Sequence, residues 1–579
     1  MKKLLLTLFS VTFIGISSLL AQAIDYDKLA PHPRILLKSG DVTAMKEYVE
    51  KSSNAKAVHN FIITEADKML SSAPVERVMT GRRLLSISRT ALKRIFYLSY
   101  AYVTTEDKRY AARAEQEMLA LSKFSDWNPS HFLDVGEATL AMAIGYDWLY
   151  KYLSVHSRSI IGTAIYEKGL RASEGEGVKF WDAADSENLV CNAGLVYGAL
   201  ATLERSPEYC KELISKCIES NKKGQKMYGP DGVYPHNLLA WEYGTGFEVM
   251  LVAALQSALG TDAGLTSQES FMRSGEFVTH LISPSEKIFG FGDCNQADVH
   301  AQPVKYWFAQ KKNDLSQVAM DERLAKGGKV LENSMLPLYM IFTSSMDLSK
   351  SKLPEKKWWC SRGEASLFTY RSGWEAGSDY FAIKGGKAQP DIAHQDVGSF
   401  VYEVDGVRWA VECDAKAGNI LSFNTQPQKT GGKADIVSHN VTTREKQVEM
   451  DLSAVYADGA QSVKRSVHLD KKNNLTLTDE ISGVAQPSIV EWSMLTEVQP
   501  QIVSPQIIML TQDGKTLYVK MKSRSRSEAK IWSADGSKVM RVGFVSQLKS
   551  GDNTSLEVMM SPVKPTVLSR IKSVINFKK

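Results

Sequence analysis

The sequence predicts a two-part chain, a series of packed helices followed by an antiparallel β-sandwich. Three observations carry this. Apolar residues recur at i, i+3 and i+4 through the first part, a polar linker breaks the pattern near residue 350, and alternation of period two follows it. With 579 residues, 44% hydrophobic and 23% charged, the chain has ample core-forming material, which excludes disorder, collagen and coiled coil as the main architecture.

The chain opens with Lys2-Lys3, an apolar run from Leu4 to Leu20, and Ala21-Gln22-Ala23. A basic start, a short apolar stretch and an A-x-A site predict a secretory signal peptide over residues 1–23. The mature chain is then expected to be periplasmic or secreted, and no later segment is expected to span a bilayer. The net charge of +5 is too slight to point to nucleic acid, though a positive excess gathered in one cleft would suit a polyanion.

From Ile24 to about residue 345 the helical period dominates. Leu92, Ile95, Phe96 and Tyr100 share a face, as do Leu140, Ile144, Trp148 and Leu149. Further helices are expected near 158–172, 188–203, 207–222, 244–259, 270–282 and 334–345. Helices in series with short loops pack antiparallel to their neighbours, and such pairs can close into a ring. Cys210 and Cys217 lie seven residues apart on one predicted helix, about 10 Å along its axis, too far for a disulfide. The six cysteines are expected to be mostly free, buried thiols.

Ser349-Lys350-Ser351-Lys352-Leu353-Pro354 marks the boundary, giving domains 24–348 and 349–579. Beyond it, Phe400-Val401-Tyr402-Glu403-Val404 and Val407-Arg408-Trp409-Ala410-Val411 flank Asp405-Gly406, a strong hairpin signal. More strands are expected around 461–467, 474–480, 488–495, 516–521 and 529–532, which reads as an antiparallel sandwich.

Four segments could carry chemistry. On a strand, Ile392, His394 and Asp396 face one side, and Glu412 and His439 follow on later strands. Two imidazoles and a carboxylate suit zinc, or else they satisfy one another as buried hydrogen-bonding pairs. Asp231 to Asn237 leads through His236 into Trp241-Glu242-Tyr243-Gly244. Aromatic faces stack on sugars, and a phenol can give and take a proton; the same aromatics also suit helix packing. Asn188 and Asn192 share a helix face, where their amides could bind a carboxylate or cap the helix. Asp126-Trp127-Asn128-Pro129-Ser130-His131 sits at a helix mouth, with His131 either a cap or a substrate contact.

Together these segments resemble the heparinase II/III-like polysaccharide lyases. The similarity runs through Pro31-His32-Pro33-Arg34-Ile35-Leu36-Leu37, Asp126 to His131, Ile144 to Tyr150, Cys191 to Gly194, Tyr243 to Phe247, Ala393 to Phe400 and Arg408-Trp409-Ala410. It implies an N-terminal incomplete (α/α) toroid and a C-terminal antiparallel β-sandwich, with the cleft between them. The implied substrate is an acidic, uronate-containing polysaccharide such as heparan sulfate, chondroitin or alginate. His394, Glu412 and His439 match the positions of a structural zinc, with Glu where the family usually has Asp. Other positions depart from the pattern: His236-Asn237 replaces Glu-Gly, Ala240 stands where a Tyr is usual, Ser186-Glu187 replaces Asn-Trp, and Ile392 replaces the first strand His.

A lyase removes the C5 proton of a uronate and expels the C4 oxygen, so the carboxylate charge must be neutralised as the anion develops. That chemistry is expected to use Asn188 for neutralisation, with Asn192 helping, and Tyr243 as base and acid, with His236 or His131 assisting; Trp241 and Trp127 are expected to contact sugar. Two rival readings remain. One is a non-catalytic glycan-binding protein on the same scaffold. The other is a hydrolase using two of Asp231, Glu242 and Asp293, which must face one cleft about 5–9.5 Å apart.

Overall fold

A computed structural model describes residues 24–291, 298–329, 333–389, 395–412, 418–532 and 538–563. The predicted signal peptide, His394, Ile392 and Asp293 lie outside the described residues.

Among the described residues the first part holds thirteen α-helices. They are α1 (Ser39–Lys51), α2 (Ser53–Leu70), α3 (Leu85–Thr105), α4 (Lys108–Ser122), α5 (Phe132–Trp148), α6 (Val155–Ala164) and α7 (Ser186–Ala201). After them come α8 (Pro207–Gly224), α9 (Leu238–Leu259), α10 (Glu269–Leu281), α11 (Pro303–Lys312), α12 (Ala319–Lys326) and α13 (Pro337–Thr343). The starts follow local chemistry. Asp185 caps α7 by accepting from the Glu187 and Asn188 amides, and Asn237 caps α9 by accepting from Ala240.

α3, α5, α7 and α9 form a parallel inner layer, as their contacts show by advancing together along the chain. Arg89 meets Glu137, and Phe96 meets Trp148. Gly136 meets Cys191, and Gly198 meets Thr139; Ser186 meets Gly244, and the Tyr197 hydroxyl donates to Met250 O. α3, α5, α7 and α9 therefore begin at one end of the layer. α11 packs on α9, α13 on α11, and α13 reaches back to α1, α2 and α3, completing the toroid.

Small residues set the spacing. A Cβ on Gly194 would stand 2.2 Å from the Gly136 carbonyl oxygen, so α5 and α7 touch backbone to backbone. α5, α7 and α9 are buried almost all round, which explains a correction to the sequence reading. α9 is long and apolar enough by composition to cross a membrane, yet 78% of that stretch is buried inside the fold. Its apolarity serves the ring interior.

The second part is antiparallel. A five-stranded sheet of Trp358–Ser361, Leu367–Arg371, Tyr380–Lys384, Phe400–Val404 and Val407–Ala410 lies beside a four-stranded one, and an eight-stranded sheet completes the sandwich. Phe400 and Trp492 meet at 6.3 Å in its core. The predicted hairpin turns at Asp405 and Gly406, with φ of 55° and 71°.

The two parts share a core. Trp359, Leu367, Tyr380, Ala382 and Val401 of the five-stranded sheet join the hydrophobic cluster of the helices. Arg371, fully buried, donates to the carbonyls of Thr279, His280 and Ile282 at 3.3, 3.2 and 2.8 Å. Arg408 donates to Ile288 O at 2.8 Å. The described cysteines, Cys191, Cys210, Cys217 and Cys360, are free thiols, the first three buried.

Replacing Gly194 by Ala drives a methyl group into the Gly136 carbonyl. Gly194→Ala is expected to cost about 3 kcal/mol, the upper end for overpacking, read as a lower urea midpoint at unchanged slope.

Candidate active site

The common starting end of the inner helices brings three side chains together, one from each of α3, α5 and α9. The Tyr243 hydroxyl donates to Glu137 Oε1 at 2.7 Å, and Arg89 Nε donates to the same oxygen at 3.1 Å. The guanidinium also lies over the Tyr243 ring, 4.8 Å from its centre. Glu137 is buried, whereas the Arg89 side chain is 52% exposed. Burial pushes the Glu137 carboxyl up to about 7, against the pull of Arg89 and the Tyr243 hydroxyl. Burial, with the charge and hydrogen bond of Glu137 adding to it, holds the Tyr243 phenol well above its ordinary value. Tyr243 therefore keeps its proton at neutral pH, hydrogen-bonded to the Glu137 carboxyl.

Beside this cluster opens a groove of about 670 Å³, walled by α2, α3, the start of α9 and residues 333–335. Lys68, Arg89, Lys93 and Arg94 line it against Glu65 and Glu242. A cationic excess in a concave site draws in polyanions. Glu242 is occupied by its neighbours: its Oε2 is 3.2 Å from His300 Nε2, and Asn333 Nδ2 donates to Oε1.

Of the residues singled out in the sequence, Tyr243 lies on this groove. His131 is half-buried just before α5, its Nδ1 2.7 Å from Asp134 Oδ1. His236 is exposed on the loop leading into α9, its ring 6.2 Å from that of Tyr234, and it does not line the groove.

Four expected contacts are corrected. Asn188 is fully buried and donates to Phe180 O at 2.8 Å and to Ser220 Oγ at 3.0 Å. Asn192, equally buried, donates to Asn188 Oδ1 at 2.9 Å and Ser220 Oγ at 3.1 Å. These amides tie α7 to α8 and cannot meet a substrate carboxylate. Trp127 and Trp241 are fully buried, their indole N–H groups donating to Leu121 O and Ser274 Oγ, so neither can stack on a sugar.

Nor is the groove a cleft between the halves. Among the described residues its lining is helical-part side chains, and Arg371, Trp359 and Tyr380 are buried where the two parts meet. Asp231, a carboxylate the hydrolase reading needed, bridges that junction. It accepts from Arg362 N and Nε at 2.9 and 3.0 Å and pairs with Arg273 at 3.3 Å. Arg362 holds its carboxyl below the usual range.

Glu412 and His439, two of the expected zinc ligands, have different surroundings. Glu412 sits among Arg408, Asp396 and Lys384, while His439 is exposed, 5.2 Å from the Trp358 ring. Among the described residues no group of three or more His, Cys, Asp or Glu could hold a metal. His394, the third expected ligand, lies outside the described residues.

Arg89 and Glu137 were missed in the sequence. The signal for Glu137 was present, an ionisable residue in the middle of the apolar α5. A carboxylate on a core helix needs a partner, and the partner is two helices.

The fold has known counterparts. At 12% identity the chain resembles the heparan sulfate lyase HepC of Pedobacter heparinus, with 93% of each chain covered and a TM-score of 0.58. The heparinase III BT4657 gene product aligns at 12% identity over 93% of this chain and 86% of that one, TM-score 0.59. The chondroitin AC lyase of Streptomyces coelicolor A3, solved with chondroitin sulphate, aligns at 9% identity over 93% and 84%, TM-score 0.58. No protein-family model and no curated protein matches the sequence. The chain thus has the toroid-plus-sandwich fold of heparinase III-like polysaccharide lyases.

Because the amides of Asn188 hold buried oxygens on two elements, Asn188→Ala is expected to lower stability by about 2 kcal/mol. Thermal unfolding checks this. A loss of activity at unchanged stability would return Asn188 to the site.

Proposed function

We propose that the protein is an exported polysaccharide lyase that cleaves uronate-containing polysaccharide by β-elimination in the α2–α3–α9 groove. The observation that carries the reading is the Tyr243–Glu137–Arg89 cluster on a cationic groove. The fold shared with heparinase III and chondroitin AC lyase supports it. The expected signal peptide would deliver the chain to where such polysaccharides are met.

Each residue answers one demand of the chemistry. The C5 proton is weakly acidic while the neighbouring carboxylate keeps its charge. The half-exposed Arg89 pairs with that carboxylate and stabilises the enolate-like charge as it grows. Removing one such donor typically costs about 10²–10³ in turnover. Tyr243 passes its proton to Glu137, 2.7 Å away, and the phenolate oxygen then takes the C5 proton. The C–H electrons form the C4–C5 double bond, and the C4–O bond breaks.

The test is a panel of uronate glycans followed by ultraviolet absorbance of unsaturated ends, with reducing ends scored in parallel. Both signals should rise together on at least one glycan. Reducing ends without absorbance would mean hydrolysis, and neither signal would mean binding alone. Tyr243→Phe should lower turnover about 10²–10⁴-fold.

Glu137 must be ionised to receive the phenolic proton. Since its carboxyl stands at about 7, kcat/KM is expected to rise as pH increases through that value. Glu137→Gln should remove the rise, and a rate already flat below pH 7 in the wild type would exclude Glu137 from the step.

A further inference from the structure

The groove holds a guanidinium that the step above does not use. Arg94 lies on α3 beyond Arg89, about 7.5 Å further along the helix axis, and lines the same groove with its side chain 21% exposed. Its Nη1 is tied back into the fold, donating to Ala73 O at 2.8 Å and to Glu117 Oε1 at 2.7 Å. Among the described residues its Nε and Nη2 donate to nothing. The opposite edge of the guanidinium, Nε with Nη2, is therefore what Arg94 presents to the groove. Those two N–H groups run parallel, the geometry that meets two oxygens of a carboxylate or sulfate at once.

The anchor is rigid and leaves positive charge over. Glu117 is fully buried on α4; its Oε1 also accepts from Arg113 Nη2 at 2.6 Å, and its Oε2 accepts from Val75 N at 2.9 Å. One carboxylate thus serves two guanidiniums. Arg113 is buried, so the excess charge of the trio is open to the groove at Arg94. The other cations are placed differently. Lys68 and Lys93 both pair with Glu65, and Arg89 spends its Nε on Glu137.

We propose that Arg94 determines specificity by binding a second anion of the substrate, a carboxylate or sulfate ester on the sugar next to the uronate that Arg89 holds. The proposal rests on the lyase reading for that first anion. It narrows the substrate class to chains in which the sugars flanking the cleaved uronate are charged too. Arg89 is held over the Tyr243 ring and Arg94 against Ala73 and Glu117, more than a turn apart on α3, so the two guanidiniums serve separate anions. The Nη1 contacts align the fork before the substrate arrives, and little side-chain freedom is lost on binding.

The experiment uses matched trisaccharides with a central uronate, whose flanking sugars are neutral, carry a sulfate ester, or are themselves uronates. Binding is measured by calorimetry on the chain carrying Tyr243→Phe, which leaves the ligands uncut, with and without Arg94→Lys. Lysine keeps the charge beside Glu117 but has no fork. A flanking anion should tighten binding, and Arg94→Lys should weaken that ligand about 10–100-fold, the worth of hydrogen bonds to a charged group. The neutral-flanked ligand should stay within about threefold. Whichever charged ligand responds tells sulfate from carboxylate. Equal affinity for all the ligands before Arg94 is changed would overturn the proposal, and this comparison stands even if Arg94→Lys fails to fold. Equal losses on all of them, or no loss on any, would overturn it as well. With Tyr243 intact, binding in the expected order but no unsaturated product would sink the lyase reading and leave Arg94 an anion-binding residue. Cleavage without the expected order would do the reverse.

Discussion

The backbone contact between α5 and α7 is the constraint on which the site depends. With Gly136 against Gly194, the two helices lie closer than any side chain would allow. That approach forces them to run side by side, starting at one end. The same end then receives Arg89 from α3, Glu137 from α5, Glu187 from α7 and Tyr243 from α9. Helix starts also present unpaired N–H groups and the positive end of the helix dipole. Acidic side chains are favoured there: Asp134 and Glu187 stand in the first turns of α5 and α7, and Asp185 caps α7.

Burial of Glu137 is unfavourable for the fold and useful for the reaction. A carboxylate inside a helical ring loses its hydration, and two hydrogen bonds only partly restore it. The result is a group near neutrality rather than near pH 4. The neighbouring phenol is raised too, which makes its phenolate a strong base but keeps Tyr243 from shedding its proton alone. Only the pair works, because the short hydrogen bond lets Glu137 take the proton that Tyr243 must shed. Glu248 meets the same burial and also stands at about 7, yet it is closed in by Asn221 and Gln225 and has no route to solvent. Perturbation alone does not make a site; the open groove beside Tyr243 distinguishes the two.

Much of the architecture could be read from the sequence because periodicity reports burial directly. The helix expected at 207–222 is α8 (Pro207–Gly224), and the Asp405-Gly406 hairpin forms as the turn chemistry requires. The site was less legible. Asn188 and Asn192 looked like ligands because polar residues at i and i+4 share a face, but the sequence does not say whether that face meets solvent or another helix. It meets α8 through Ser220. Trp127 and Trp241 misled for a related reason, since large aromatics serve cores as readily as sugars. Arg89 could not be found, because its partner lies 48 residues away and is met only when α3 and α5 pack.

The departures from the lyase pattern acquire a physical meaning from this geometry. An amide that neutralises a uronate must stand at the groove, and here the α7 amides have turned inward to hold α8. In the proposed reaction a cation at the groove takes their place: Arg89 carries a full charge where an amide carries none, and its tether to Glu137 keeps the guanidinium over the Tyr243 ring. Likewise Ala240 need not mean a lost catalyst. It sits in the first turn of α9, one turn before Tyr243, and Tyr243 alone has the buried carboxylate within reach. Glu187, where the pattern has an aromatic residue, places a second carboxyl on the starting edge of α7. Changing the glycine-fixed spacing of α5 and α7 by a single methyl group would move Glu137 relative to Tyr243, so the packing of the ring and the placement of that pair are one problem.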